Sequence, residues 1–395
     1  MIRPICLIPC LTMLCTGTAI AQEAYVYDYI PNKGVYVYDA SSTGKLTPIK
    51  GSPFKPAGQM VGTNGRHFVT SDSNSLLSYE VESNGAIGKL VSDINTQHYS
   101  GSDCGTISYP GAVAEFGHTG ETVYIMLSGA AGDGAGACDG IQTYGISKSG
   151  TFTFKGATEF NQESSYYYAG NLPTLTGNGK FGYDFEFNTF DGDVCTPTIN
   201  IFAGESGGVL EYQNILSTPP PPPVPPSGDS WIITAITDDP TDHIVLAMYT
   251  TTDVDCNDGP TFGPAQLASY TVNSQGNLTT TNTYENMPKM PGGDYPNLMK
   301  LDPTGKILAV AMGTGVAFYH FNGADPITSF TGVIGDSGQI ALMAWDTRGH
   351  LYAQNSASGR MHVYEVTTKT AKELPGSPTS IPFSSPYSSF VVQTK

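Results

Sequence analysis

The stretch PNLMKLDPTGKILAVAMGTGVAFYHFNGADPITSF, residues 296–330, decides the fold. It holds four short strand-like runs, 297–302, 307–313, 316–322 and 326–331, separated by the tight turns Pro303-Thr304-Gly305, Thr314-Gly315 and Gly323-Ala324-Asp325. Short apolar runs punctuated by Gly, Pro, Asn and Asp read as an antiparallel meander. One meander cannot cover its own apolar faces, so the same pattern should recur along the chain.

It does recur. Calling the four strands a to d, further units run over 59–95, 112–160, 172–215, 231–287 and 340–381. The first unit has b-, c- and d-like runs at 24–30, 35–41 and 46–54 but lacks strand a, and one run, 390–394, is left over at the other end. Six full units, one incomplete unit and a spare strand predict an all-β fold, a seven-bladed β-propeller of four-stranded antiparallel blades. The N- and C-terminal strands should pair within one blade, because an open ring would leave an unpaired edge. The alternative is two β-sandwiches joined by the run Pro219–Pro226.

Residues 1–21 read as a signal peptide: Arg3, an apolar run from Ile5 to Cys15, and Ala19-Ile20-Ala21 before Gln22. Residues 22–395 then form a single propeller domain, expected to be exported to the periplasm or outside the cell, and monomeric. No later run has the length of a membrane span. Losing Arg3 takes the net charge from −17 to −18. No Lys or Arg lies between Lys89 and Lys148 or between Lys180 and Lys289, and the arginines left are Arg66, Arg348 and Arg360. Such a chain repels phosphate backbones, which excludes nucleic acid as a partner and disfavours phosphorylated substrates.

In an a-b-c-d blade the a–b and c–d turns share one face, and the b–c loops and inter-blade connections share the other. The tight Gly turns fall on the first face. The long segments 96–111, 129–140, 161–170, 188–198, 218–230, 252–265 and 288–296 fall on the second, which is therefore the expected binding face. Cys104, Cys138, Cys195 and Cys256 all map there; pairing neighbours gives Cys104–Cys138 and Cys195–Cys256, each worth roughly 4 kcal/mol of chain entropy. Asp103, Asp133, Asp139, Asp191 and Asp193 collect on the same face. Asp253, Asp255, Asn257 and Asp258 offer the alternating oxygen donors that Ca²⁺ favours, although Pro264 stands where an EF-hand would place its Glu. Tyr109, Tyr168, Tyr295 and Tyr387 precede strand a and should ring the channel mouth, where they could stack on a saccharide or another planar small molecule. The proline run Pro219–Pro226 reads as a stiff spacer or as the docking point of a protein partner.

Two nucleophile-like motifs carry no chemistry. Gly204-Glu205-Ser206-Gly207-Gly208 lies in a turn with no helix behind it, and Gly335-Asp336-Ser337-Gly338 has no accompanying His region.

Leu301-Asp302-Pro303-Thr304-Gly305-Lys306, the c-strand runs Val35-Tyr36-Val37-Tyr38-Asp39 and Val363-Tyr364-Glu365-Val366, and the segments Gly51-Ser52-Pro53-Phe54 and Gly376-Ser377-Pro378 resemble the lactonase family of seven-bladed propellers. That family includes 6-phosphogluconolactonase-like proteins and relatives with YVTN-type repeats. The resemblance implies the propeller fold and, as function, either binding of a small molecule or hydrolysis of a lactone ring. A Pro-Arg-His segment that often opens strand a in that family is replaced here by Tyr295-Pro296-Asn297-Leu298 and Tyr109-Pro110-Gly111-Ala112. The expected function is ligand binding on the acidic loop face, with lactone hydrolysis or a protein-interaction platform as alternatives.

Overall fold

The structure, a computed structural model, describes residues 24–395 except 73, 97–113, 131–136, 162–172, 191–193, 205–207, 217–229, 252–262, 292–295, 297, 336–337 and 383–388. The signal segment lies outside the described residues. Among those described, the strands form seven sheets, each with four antiparallel strands in a meander. Blade 7 adds one short strand, Thr379–Ser380, alongside Arg360–Val366. Two separate sandwiches are ruled out by the way these sheets follow one another around a single ring.

The deciding stretch folds as blade 6: Met299–Leu301, Ile307–Met312, Gly315–Asn322 and Asp325–Ser329, from axis to rim. Blade 1 closes as expected. Its inner strand is Ser389–Thr394, from the end of the chain, paired with Ala24–Ile30 from the start. Its outer strand Leu46–Pro48 is shorter than the expected 46–54, and an isolated bridge between Val35 and Phe54 continues the edge.

Each blade buries both faces, and the core is divided accordingly. Among the described residues, seven apolar clusters occupy the seven junctions. Between blades 5 and 6, Val245, Ala247 and Leu267 meet Leu308, Val310 and Tyr319. Between blades 7 and 1, Tyr352, Met361 and Val363 meet Val26, Tyr38 and Phe390. The near-continuous apolar b and c strands follow from this two-sided burial, as in any sheet covered on both sides.

The a–b turns are built by side-chain caps. Asp302 Oδ1 accepts the amides of Lys306 and Ile307, both at 2.7 Å, while Thr304 Oγ1 donates to Oδ2. Asp239 and Asp346 repeat the arrangement in blades 5 and 7, where each also meets its own His four residues on: His243 Nδ1 at 3.0 Å and His350 Nδ1 at 2.7 Å. All three carboxylates are buried. Likewise Ser52 Oγ and Ser377 Oγ accept the amides of Val37 and Val363. The segments that carry the family resemblance thus complete backbone hydrogen bonding, which buried amides require.

The same turns fasten each blade to the next. Gln393 Nε2 donates to Gly65 O, Asn64 Nδ2 to Gly120 O, and the amide of Asn178 to Thr241 O. Trp345 Nε1 donates to Lys300 O, and the amide of Thr347 to Thr394 Oγ1. Blade 5 uses packing instead: Pro240 lies between Gly177 of blade 4 and Gly305 of blade 6, so close that a Cβ on Gly177 would fall on the Pro240 carbonyl.

Candidate functional site

The inner strands of blades 3 and 6 are only three residues long, and each exposes its middle residue: Glu115 in Ala114–Phe116 and Lys300 in Met299–Leu301. Their flanking residues are turned into the junctions; Met299 belongs to the core between blades 5 and 6, and Phe116 packs between blades 2 and 3. Blade 5 contributes Asp238, the last residue of its inner strand Ser230–Asp238. The turn after Glu115 contributes His118.

These four groups act on one another across the middle of the ring. His118 Nε2 lies 2.9 Å from Leu175 O on the inner strand of blade 4 and 3.3 Å from Asp238 Oδ2 of blade 5. The imidazole therefore spans from blade 3 over blade 4 to blade 5. The hydrogen bond that His118 donates to Asp238 is the main influence on the ring and outweighs its desolvation; the Leu175 carbonyl and the charge of Glu115 add to it, and the pKa rises to about 9. At neutral pH His118 is an imidazolium whose Nε2–H serves both acceptors.

Glu115 keeps solvent-accessible surface in the channel, but the protein around it strips away much of its hydration. That desolvation pushes its carboxyl above the ordinary range, Asp238 pushes the same way, and Lys300 and His118 pull it back. A carboxylate, an ammonium and an imidazolium–carboxylate pair from blades 3, 5 and 6 thus face a common space. Such a set can hold a small polar molecule through charge-assisted hydrogen bonds. It can also place a base beside cationic groups.

The residues expected from sequence on the loop face are not part of this set. Asp103, Tyr109, Tyr168, Tyr295 and Tyr387 lie outside the described residues. So do Asp253, Asp255, Asn257 and Asp258 of the Ca²⁺ loop, Asp133, Asp191 and Asp193, Cys104 and Cys256, and the run Pro219–Pro226. Cys138 and Cys195 are described in backbone only, and both stand on strands. Ala137–Ile146 sets Cys138 opposite Gly129, and Val194–Gly204 sets Cys195 opposite Thr189. The described parts of the expected loops 129–140 and 188–198 are therefore strand. Aromatic residues at every second position, Phe181, Tyr183, Phe185 and Phe187, carry the blade 4 strand past its expected end. Among the described residues, no group of three or more His, Cys, Asp or Glu could hold a metal ion, and no helix is long and apolar enough to cross a membrane.

Glu115, His118, Asp238 and Lys300 were not singled out by sequence reasoning. The available signal was a charge in the middle of an inner strand, where a blade otherwise places apolar or small residues.

No protein-family model matches the sequence, and no curated protein matches it either. Solved structures do. A protein from Lactobacillus plantarum has a TM-score of 0.55 at 14% identity, covering 94% of this chain and 99% of that one. A candidate 6-phosphogluconolactonase from Bacteroides uniformis has a TM-score of 0.54 at 14% identity, over 91% of this chain and 97% of that one. Another from Bacteroides fragilis gives 0.55 at 12% identity, over 95% and 99%. The fold is that of the lactonase-like seven-bladed propellers. At such identities the relation is one of architecture, and the chemistry has to be argued from the residues of this propeller.

Proposed function

We propose that this propeller is an exported binding protein for a small polar molecule of the saccharide or sugar-lactone class, seated in its central channel. The observation that carries the reading is the convergence of Glu115, Lys300 and the His118–Asp238 pair from three different blades. Hydroxyl groups of such a ligand would donate to Glu115 and accept from Lys300 and the imidazolium. The acidic loop face, with Asp103 and the tyrosines Tyr109, Tyr168, Tyr295 and Tyr387, would form the far mouth of the same channel, and the Asp253–Asp258 loop is proposed there as a Ca²⁺ site. Export rests on the leader-like residues 1–21.

A second reading, hydrolysis of a lactone, is favoured by one feature: a carboxyl that desolvation holds above its ordinary range, set beside two cations. Glu115 would take a proton from water as the water oxygen attacks the lactone carbonyl. Lys300 and imidazolium His118 would stabilise the oxyanion, and Glu115 would return the proton to the ring oxygen as the C–O bond breaks.

Calorimetric titration with glucose, glucono-δ-lactone and Ca²⁺ tests the binding reading, comparing wild type with E115Q/K300M and with D253A/D255A. Sugar or lactone binding that disappears in the channel variant supports it. Binding lost only in the loop variant moves the site to the loop face, and no binding by wild type ends the proposal. The second reading requires lactone turnover above the buffer rate that falls at least about a hundredfold in E115Q.

A further inference from the structure

A second concavity lies on the face of tight turns, away from the loop face. It is a groove of about 330 Å³ between blades 2 and 3, walled by the a–b turns of both and the c–d turn of blade 3. Small-ligand sites begin at about this size. Its lining includes Arg66, His67, Glu121 and Lys148, with Asn64 and Ser147 between them.

The groove is a constructed feature. Asn64 Oδ1 accepts the amides of Arg66 and His67, and its Nδ2 crosses to Gly120 O at 2.9 Å, so one side chain fixes the blade 2 turn against the blade 3 turn. Gly150, at φ +85°, lets the His67 ring approach; a Cβ there would come within 2.6 Å of Cδ2. His67 lines the groove while only 6% exposed, and its Nδ1 is buried on the inner side of the ring with no hydrogen-bond partner among the described residues. Burial and the neighbouring Arg66 hold its pKa down, so the ring is neutral and offers either a donor or an acceptor. Arg66 and Lys148 are exposed and make no ion pair among the described residues. They are two of 18 Lys and Arg residues in a chain of net charge −17.

We propose that this groove is a binding site for a small hydroxycarboxylate, whose carboxylate is held by Arg66 and Lys148 and whose hydroxyls reach Glu121 and the groove-lining edge of the His67 ring. Two cations against one carboxylate leave a single positive charge to satisfy, which suits a monoanion and disfavours a dianion beside Glu121. The guanidinium fork matches a carboxylate in two hydrogen bonds, and Glu121 has only acceptors, so it demands a ligand with donors. The site stands independently of the channel reading, because none of its walls belongs to Glu115, Asp238 or Lys300.

The test is an NMR titration of the full mature chain at low ionic strength, following the His67 ring signals, assigned with His67→Gln. D-gluconate at millimolar concentration should shift them, and glucitol, the uncharged polyol, should not. The exposed double variant R66M/K148M should retain the wild-type melting temperature and bind gluconate at least about tenfold more weakly. E115Q/K300M should bind it as wild type does. The proposal is overturned if gluconate leaves His67 unmoved, if glucitol moves it equally, or if R66M/K148M keeps full affinity. Tighter binding of inorganic phosphate than of gluconate would overturn the assigned ligand class.

Discussion

Asp28 lies directly opposite Phe390: the fifth residue of the first described strand is the register partner of a residue six from the end of the chain. This pairing joins the two ends of the propeller in one blade. It also places a carboxyl and an aromatic ring side by side at the seam between blades 7 and 1.

Phe390 is the apolar half of that seam, buried against Val26, Tyr352 and Val363. Phe390→Ala should lower the unfolding free energy by about 3–5 kcal/mol. Because the lost contacts close the ring, residues 24–30 should also lose protection from amide exchange before the blade 4 and blade 5 strands do. Equilibrium denaturation with exchange mass spectrometry measures both.

Asp28 is the polar half. It is fully buried, neither carboxyl oxygen has a hydrogen-bond partner among the described residues, and desolvation raises its pKa from 3.8 to about 7. The folded state therefore holds this proton more tightly than the unfolded chain does. Its contribution is fully present below about pH 4 and is lost as the pH rises through about 7, an effect on the order of 4 kcal/mol. Asp28→Asn should remove that slope. Chemical denaturation across this range should show the variant gaining on wild type with rising pH, most of all near pH 8.

Gly177 has no room for a side chain against Pro240, whereas a Cβ on Gly332 meets nothing within 4 Å. Gly177→Ala should destabilise by about 1–3 kcal/mol through overpacking at the junction of blades 4 and 5. Gly332→Ala should be close to neutral. Thermal unfolding of the two variants side by side provides the comparison.

The ring, its blade count and its closure were legible in the sequence because each blade is a local object. The turn at Pro303-Thr304-Gly305 and the alternation in Val35–Asp39 report on neighbours a few residues away. The Asp302 cap is equally local, which is why its motif survives as a recognisable segment. The channel was not legible. Glu115, Asp238 and Lys300 are far apart along the chain, and only the curvature of the ring brings them together. Inner strands as short as Ala114–Phe116 carry too few residues to display a pattern. Loop lengths misled for a related reason: once Phe181–Phe190 and Val194–Gly204 pair, the ladder takes in Asn188, Thr196 and Pro197, residue types that read as loop in the sequence.

The claim on which the functional account rests is that side chains of blades 3 and 5 share one electrostatic site in the channel. The pKa of His118 measures it directly, by NMR titration of the imidazole in wild type, D238N and E115Q. The account requires a value near 9 in wild type, a return toward the ordinary 6.5 in D238N, and a smaller downward shift in E115Q. A wild-type His118 that titrates near 6.5, or one indifferent to both substitutions, would contradict it.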